Sequence, residues 1–351
     1  MSQINPCVLL LNDIHVSKDN IPEFTANWQE ALAVCDRMNI QEIAFGGDMF
    51  LARSAQTLDV LLAVHDALLD AGKRGINVTL ANGNHDFIQQ EAIRGYCHVF
   101  DQHDNVLVVD ETISLLPSED WGFVLHMIAY FPENGSFTEK LDKLVATGLN
   151  KERKNYLYIH EGVNGALAHS NEKELSPKIF KVFDKVFVGH YHNRCTIDGT
   201  NVEYIGSSRQ HNFGEDEEKG YTVIYPDGHY DFIKNQVNTR YLVMDVPVEK
   251  TGIHLSDELE EIKEDGRYRV KVRVHTSSAK ASAIDKEKLL QAGANKMEIV
   301  TEDPEAVEIA GSSLFEKFDN HKIKETYEVF CTEKEIGDVE LGLIYLSKIE
   351  N

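Results

Sequence analysis

Five short apolar runs, each delivering a side chain that can bind a metal or carry a proton, constrain this chain more than any other feature. Val8 to Leu11 leads into Asp13-Ile14-His15, Ile43 to Phe45 into Gly46-Gly47-Asp48, and Val78 to Ala81 into Asn82-Gly83-Asn84-His85-Asp86. Farther along, Tyr156 to Ile159 leads into His160, and Val186 to Val188 into Gly189-His190-Tyr191-His192. Runs of this length bounded by turn-forming residues read as buried strands. The expectation is therefore that Asp, His and Asn gather at one end of a sheet. Helical spacing fills the gaps: Phe24, Trp28, Leu32, Val34 and Met38 mark a helix over Glu23 to Met38, and a second covers about Thr57 to Lys73 before Gly75. The resulting β-α-β-α-β order predicts parallel strands with right-handed crossovers, helices on the sheet faces, and a site beyond the C-terminal strand ends.

Between Val106 and Tyr130 the pattern turns to short strands, followed by a helix over Ser136 to Thr147. Arg194 to Lys234 reads as β-hairpins with turns at Asp198-Gly199 and Asp227-Gly228. A catalytic domain over residues 1–237 follows from this order. Residues 238–300 read as a small α/β cap: a strand from Tyr241 to Val246, a polar connection, a strand from Arg267 to His275, a helix over Ala283 to Ala292, and a strand from Lys296 to Val300. Residues 301–351 read as an acidic linker and a C-terminal helical pair, 312–330 and 333–349, the second opened by a capping box at Thr332 and Glu335.

Charge narrows the function classes. A formal charge of −23 over 351 residues argues against a protein coated by nucleic acid, because phosphate neutralisation calls for a basic surface. Local basic features matter more in such a chain. On the strand from Arg267 to His275, Arg267, Arg269, Lys271 and Arg273 share one face, a candidate track for a DNA phosphate backbone. The five cysteines are widely spaced with no Cys-x-x-Cys pair, so they read as reduced thiols. No apolar stretch reaches the ~20 residues of a membrane span, and no signal segment opens the chain. The expectation is a cytoplasmic protein without a membrane span.

The ligand types point to chemistry. Oxygen and imidazole nitrogen donors without thiolate suit manganese, with iron or zinc as alternatives. Asp13, His15, Asp48, Asn84, His160, His190 and His192 are too many ligands for one ion that must keep a position open. Two ions bridged by Asp48 would lie ~3.5–4 Å apart and share a hydroxide aimed at phosphorus. His85 is then free to protonate a leaving oxygen or to neutralise transition-state charge. His211 is weighed as a cleft residue and not adopted. The histidines at 65, 98, 103, 126 and 169 read as ordinary.

Asp-x-His, Gly-Asp, Gly-Asn-His-Asp, His and Gly-His-x-His, in this order over residues 8–192, resemble the calcineurin-like metallophosphoesterases. The resemblance implies an α/β fold, an α+β sandwich of mixed sheets flanked by helices, carrying the small cap and the helical segment. It implies that Asp13, His15, Asp48 and His192 hold one metal and that Asp48, Asn84, His160 and His190 hold the other. His85 would contact the phosphate, with Asp86 orienting His85. Tyr204-Ile205-Gly206-Ser207, Phe213-Gly214-Glu215 and Lys219-Gly220 extend the likeness to the SbcD-type DNA repair nuclease subunits and to short phage recombination endonuclease subunits. Arg209-Gln210-His211 departs from that pattern, which expects a more apolar run there, and this bears on substrate detail.

The reading is a two-metal phosphodiester hydrolase, a DNA nuclease subunit of a recombination or repair complex. It implies DNA as substrate, an SbcC-like coiled-coil ATPase bound through the C-terminal helices, and a homodimer. Ile336, Val339, Leu343 and Leu346 form an apolar stripe that by spacing alone reads as packing on the chain's own body, and that the resemblance makes the docking face for the ATPase. The resemblance implies a dimer through helices near the metal core, and the helix at Thr57 to Lys73 carries more apolar surface than one packed face requires, which suits that dimer or burial of the helix on both sides. Two alternatives stand beside it: a small-molecule phosphodiesterase or phosphatase on the same core, which suits the acidic charge, and a scaffold that has lost catalysis, which the intact ligand set disfavours.

Overall fold

The structure is a computed structural model describing residues 5–301, except 90–91, 133–135, 168–173, 252, 282–283 and 285. The chain divides into two compact units, one of residues 1–242 with Ile262–Arg269, the other of Val243–Glu261 and the chain from Val270 onward.

The first unit begins β1 (Val8–Leu11), α1 (Ile21–Met38), β2 (Glu42–Phe45), α2 (Leu58–Lys73), β3 (Asn77–Ala81) and β4 (Val106–Val109). It continues β5 (Thr112–Leu115), β6 (Phe123–Ile128), α3 (Ser136–Thr147), β7 (Lys154–His160) and β8 (Lys185–Gly189). The strands β9 (Cys195–Thr196), β10 (Val202–Tyr204), β11 (Gly220–Ile224) and β12 (Tyr230–Lys234) follow. These strands form two six-stranded mixed sheets, ordered β12-β11-β1-β2-β3-β4 and β5-β6-β7-β8-β10-β9. The five ligand-bearing strands are thus shared between two sheets, a correction to the single sheet expected from sequence. Within each sheet they run parallel, so their C-terminal ends open on one side.

Burial explains why these strands read as continuous apolar runs. Leu9, Leu11, Ile43, Phe45, Val78 and Leu80 pack with Phe24, Trp28 and Leu32 of α1 and Val60, Val64 and Leu68 of α2. The alternate residues Val8, Leu10, Ala44 and Ala81 join the core of the other sheet, with Leu125, Met127, Leu157, Ile159, Val186 and Val188. A strand covered on both faces has no polar side to expose. Each such Val or Leu contributes about 1.5–3 kcal/mol on burial, so the runs specify the sheets strongly. The Trp28 indole N–H also donates to the Ala67 carbonyl at 2.9 Å, tying α1 to α2. On the outer side of α2, Leu58, Leu62 and Leu69 are exposed.

The three-stranded sheet that follows consists of β13 (Arg240–Pro247), β14 (Tyr268–Thr276) and β15 (Lys296–Thr301), with α4 (Ile253–Asp265), α5 (Ser278–Ala281) and α6 (Lys286–Ala292) as its helices. α4 replaces the polar connection expected from sequence. Its buried Leu255 and Leu259, one turn apart, supply the apolar contact within an otherwise charged helix. The acidic linker, the helical pair with its capping box, and the stripe of Ile336, Val339, Leu343 and Leu346 lie outside the described residues. Among the described residues, no helix is long and apolar enough to cross a membrane.

Candidate metal centre

The turns after β1, β2 and β8 are strained, and the strain coincides with the candidate ligands. Asp13, His15, Asp48 and His190 have φ values of 51°, 48°, 57° and 88°, and the remaining non-glycine residue of this kind among the described residues, Asn39, closes α1. Left-handed backbone at such residues costs of order 1–3 kcal/mol each and persists only where the surroundings over-determine it. Here the over-determination is visible. Asp13 N–H donates to Gly47 O, and Ile14 and His15 N–H both donate to Asp48 O, so the two strained turns brace one another. Gly83 has to lack a side chain, since a Cβ there would stand 2.3 Å from Asp48 Oδ1.

Four imidazoles are oriented the same way, each giving its Nδ1 proton to an oxygen. His15 donates to Phe50 O at 3.3 Å, His160 to Gly46 O at 2.9 Å, His192 to Glu215 Oε1 at 2.8 Å, and His85 to Leu51 O at 2.8 Å. In the neutral form of each ring this leaves the lone pair on Nε2. Nε2 of His15 and Nε2 of His192 face each other at 3.2 Å, and His160 Nε2 lies 3.2 Å from Asn84 Oδ1. His190 instead turns Nδ1 toward Asn84 Oδ1, 3.2 Å away. This is the pattern of imidazole ligands held by an outer hydrogen bond.

The carboxylates sit between the rings. Asp48 Oδ2 is 3.5 Å from His15 Nε2 and 3.3 Å from His160 Nε2, while its Oδ1 accepts the His85 N–H at 2.8 Å. Asp13 Oδ1 lies 3.8 Å from Nε2 of His15, His160 and His192, is buried, and has no hydrogen-bond partner. A buried carboxylate oxygen left without a donor is costly, and converging imidazole lone pairs repel. A cation resolves both, so the donor set fits divalent metal. The atoms fall into groups within coordination reach: Asp13, His15 and His192; Asp13, Asp48 and His160; and His15, Asp48 and His85.

Electrostatics agree with a site built for positive charge. Burial opposes the charge on His160, but Asp48 and Asp13 overcome it and lift the ring to about 10. Burial works against Asp48 too, yet His160 and His15 hold it far below the usual carboxylate range. For His15 and His190 burial dominates and lowers each to about 4, leaving neutral rings able to ligate.

The seven expected ligands, Asp13, His15, Asp48, Asn84, His160, His190 and His192, therefore converge, with His85 at their rim. One expectation is corrected. Asp86 does not orient His85; its buried carboxyl accepts from Gly83 N at 2.8 Å, Phe50 N at 3.0 Å and Met49 N at 3.3 Å. It thereby locks the loop after β3 to the loop after β2, and burial followed by the Asp48 charge raises it to about 7. His85 is held by Leu51 instead.

A cleft of about 540 Å³ opens from the cluster and is lined by Arg53, His85, His192, His211, Tyr241 and Arg269 among others. Of the four basic residues proposed as a phosphate track, only Arg269 lines it. Arg267 donates to the Gln236 carbonyl at 2.6 Å, Lys271 pairs with Glu298, and Arg273 pairs with Asp245 at 2.7 Å. Sequence reasoning missed Arg53, Asn12, Tyr158 and the role of Glu215. Tyr158 reaches from one sheet to the other, its hydroxyl 2.7 Å from Asn12 Oδ1, while Asn12 Nδ2 donates to Asp13 Oδ2. Nothing in an apolar strand run distinguishes that hydroxyl. Gly214-Glu215 did stand out, but only as part of a resemblance.

Comparison with known proteins gives the family. A family model described as calcineurin-like phosphoesterase matches residues 8–194. Among solved structures, a dimetal phosphatase from Danio rerio aligns over 64% of this chain and 93% of its own, at 10% identity and a TM-score of 0.41. A nuclease, MPE, from Pseudomonas putida aligns over 63% of this chain and 84% of its own, at 16% identity and a TM-score of 0.29. Scores this low carry no argument about substrate.

Proposed function

The chain belongs to the calcineurin-like phosphoesterase family and is a metal-dependent phosphoesterase, and from that premise we propose that it is a DNA nuclease subunit, hydrolysing phosphodiester bonds with two divalent ions. Asp13, His15, Asp48 and His192 would hold one ion, and Asp48, Asn84, His160 and His190 the other. Asp48 is suited to bridging because its Oδ2 faces a ring from each set. When bound, such ions polarise a phosphoryl oxygen and lower the pKa of water. The protein's own contribution is to hold the strained turns fixed and to present His85 Nε2 at the rim. Protonated there, that nitrogen can deliver its proton to the leaving oxygen.

One observation carries the nucleic-acid reading: the cleft beside the cluster holds two arginines, Arg53 and Arg269, with no carboxylate partner among the described residues, in a chain of net charge −23. Arg269 also lies over the Tyr241 ring, 5.9 Å from its centroid, which gives the wall a flat face beside a cation. Cations left unpaired in so acidic a chain suit phosphates on either side of the scissile bond. The small-molecule reading draws on the same wall, where Asp19 would repel a long polyanion.

A manganese-supplemented assay on single- and double-stranded DNA, beside bis(p-nitrophenyl) phosphate, separates the two. The double variant Arg53→Gln/Arg269→Gln should lose DNA cleavage more than ester hydrolysis, and the slope of log affinity against log salt should fall by about one per arginine. Ester hydrolysis with no DNA cleavage by the parent would favour the small-molecule reading.

Two further proposals concern partners. Leu58, Leu62 and Leu69 on α2 suit self-association. Light scattering should give a dimer mass that Leu58→Glu/Leu62→Glu reduces, and a parental monomer at micromolar concentration would count against it. The coiled-coil ATPase is proposed to dock on residues 312–349; deleting them should abolish co-purification of the two chains, and undiminished co-purification would rule the stretch out.

A further inference from the structure

Three consecutive carbonyls of the strained turn after β1 accept hydrogen bonds from one short stretch between β10 and β11. His211 Nε2 donates to Asp13 O at 2.8 Å, Arg209 Nε to Ile14 O at 3.0 Å, and Arg209 Nη2 to His15 O at 3.3 Å. Arg209 is buried, and its third nitrogen, Nη1, donates to Glu23 of α1 at 3.1 Å. The same stretch ends in Glu215. One carboxylate oxygen there takes the Nδ1 proton of His192 at 2.8 Å, and the other takes the His211 N–H at 2.9 Å. Gln210 anchors the stretch in turn, accepting from Tyr241 N at 2.9 Å and donating to the carbonyls of Tyr241 and Glu215.

We infer that the stretch from Arg209 to Glu215 is a clamp that sets one half of the metal centre, with Arg209 and Glu215 as its positioning residues. It grips the backbone that aims Asp13 and His15, and it fixes the ring of His192, so it touches each ligand assigned to the first ion except the shared Asp48. His160 and His190 are held differently, the first by the Gly46 carbonyl and the second through its N–H to Asp13 Oδ2 at 2.9 Å, and among the described residues no residue of the clamp bonds to them or to Asn84. Asp13 Oδ2, which takes the His190 N–H, is the point where the halves meet; otherwise the two ions are tuned by different parts of the chain. An outer carboxylate that orients an imidazole ligand typically governs metal affinity about 10–100-fold. The inference rests on the two-ion reading above and adds which residues set each affinity.

The test is manganese titration of the full chain, followed by calorimetry and by electron paramagnetic resonance. The parent should bind two equivalents and show the signal of a coupled manganese pair. Glu215→Gln, which keeps the shape of the side chain, should weaken one equivalent by about 10–100-fold and leave the other within a few-fold. At two equivalents of added metal its spectrum should be that of isolated manganese. Arg209→Lys, which keeps the charge but loses the planar fork of donors, should fall between parent and Arg209→Met. Thermal unfolding of the metal-free variants guards against misfolding, because a lost fold would remove both equivalents. Two equivalents weakened together in a folded variant, or neither weakened, would overturn the clamp alone. A parent that binds fewer than two would overturn the two-ion reading and the clamp with it.

Discussion

Asp48→Asn should abolish phosphoester hydrolysis at saturating manganese while the chain stays folded. In the two-ion assignment proposed above this carboxylate is the shared ligand, its Oδ2 within 3.5 Å of a ring in each half. An amide in its place keeps one oxygen but removes the charge that offsets two cations, so both ions should be lost or left without their link. The fold should survive because Asp48 sits at φ 57°, a region Asn tolerates better than almost any other residue with a side chain. The backbone carbonyl of residue 48, which braces Ile14 and His15, is also unchanged by the substitution. Circular dichroism and metal content measured beside turnover check the result. A folded variant with parental turnover would remove Asp48 from the centre of the mechanism.

His85→Ala should lower kcat by ~10²–10⁴ while both ions remain bound, the loss expected when a proton donor is removed. Its ring is half-buried at the mouth of the cleft, with Nδ1 committed to Leu51 O and Nε2 left for substrate. It also lies within coordination reach of His15 and Asp48, so a direct metal role is the competing account. Metal analysis of the variant separates them. Two equivalents with slow turnover support the proton donor, and loss of an equivalent would make His85 a ligand.

Much of the site could be read in the sequence because the physics that builds it is local. A strand buried on both faces leaves an unbroken apolar run, and the polar residue after it is conspicuous. α3 follows Ser136–Thr147 as the spacing predicts, and the chain turns near Gly199 and Gly228, both at positive φ, where the hairpins were expected. Pairing across the sheets is not local. β1 lies beside β11, far along the chain, and no feature of Val8 to Leu11 announces that neighbour. The Asp86 assignment failed for a related reason. Adjacency to His85 suggested that one side chain orients the other, but within the tight turn the Asp86 carboxyl reaches back to the Gly83 N–H. Arg209 and His211 were obscured because a basic and a titratable residue in a loop ordinarily face water. Here they are drawn inward to the carbonyls of a strained turn.

The converging side chains of Asp13, His15, Asp48, Asn84, His160, His190 and His192 are proposed to form a single centre for two ions. Anomalous diffraction from crystals grown with manganese measures this directly. The account predicts two peaks ~3.5–4 Å apart, with the Asp48 carboxylate between them and His85 next to neither. One peak, or peaks away from this cluster, would contradict it.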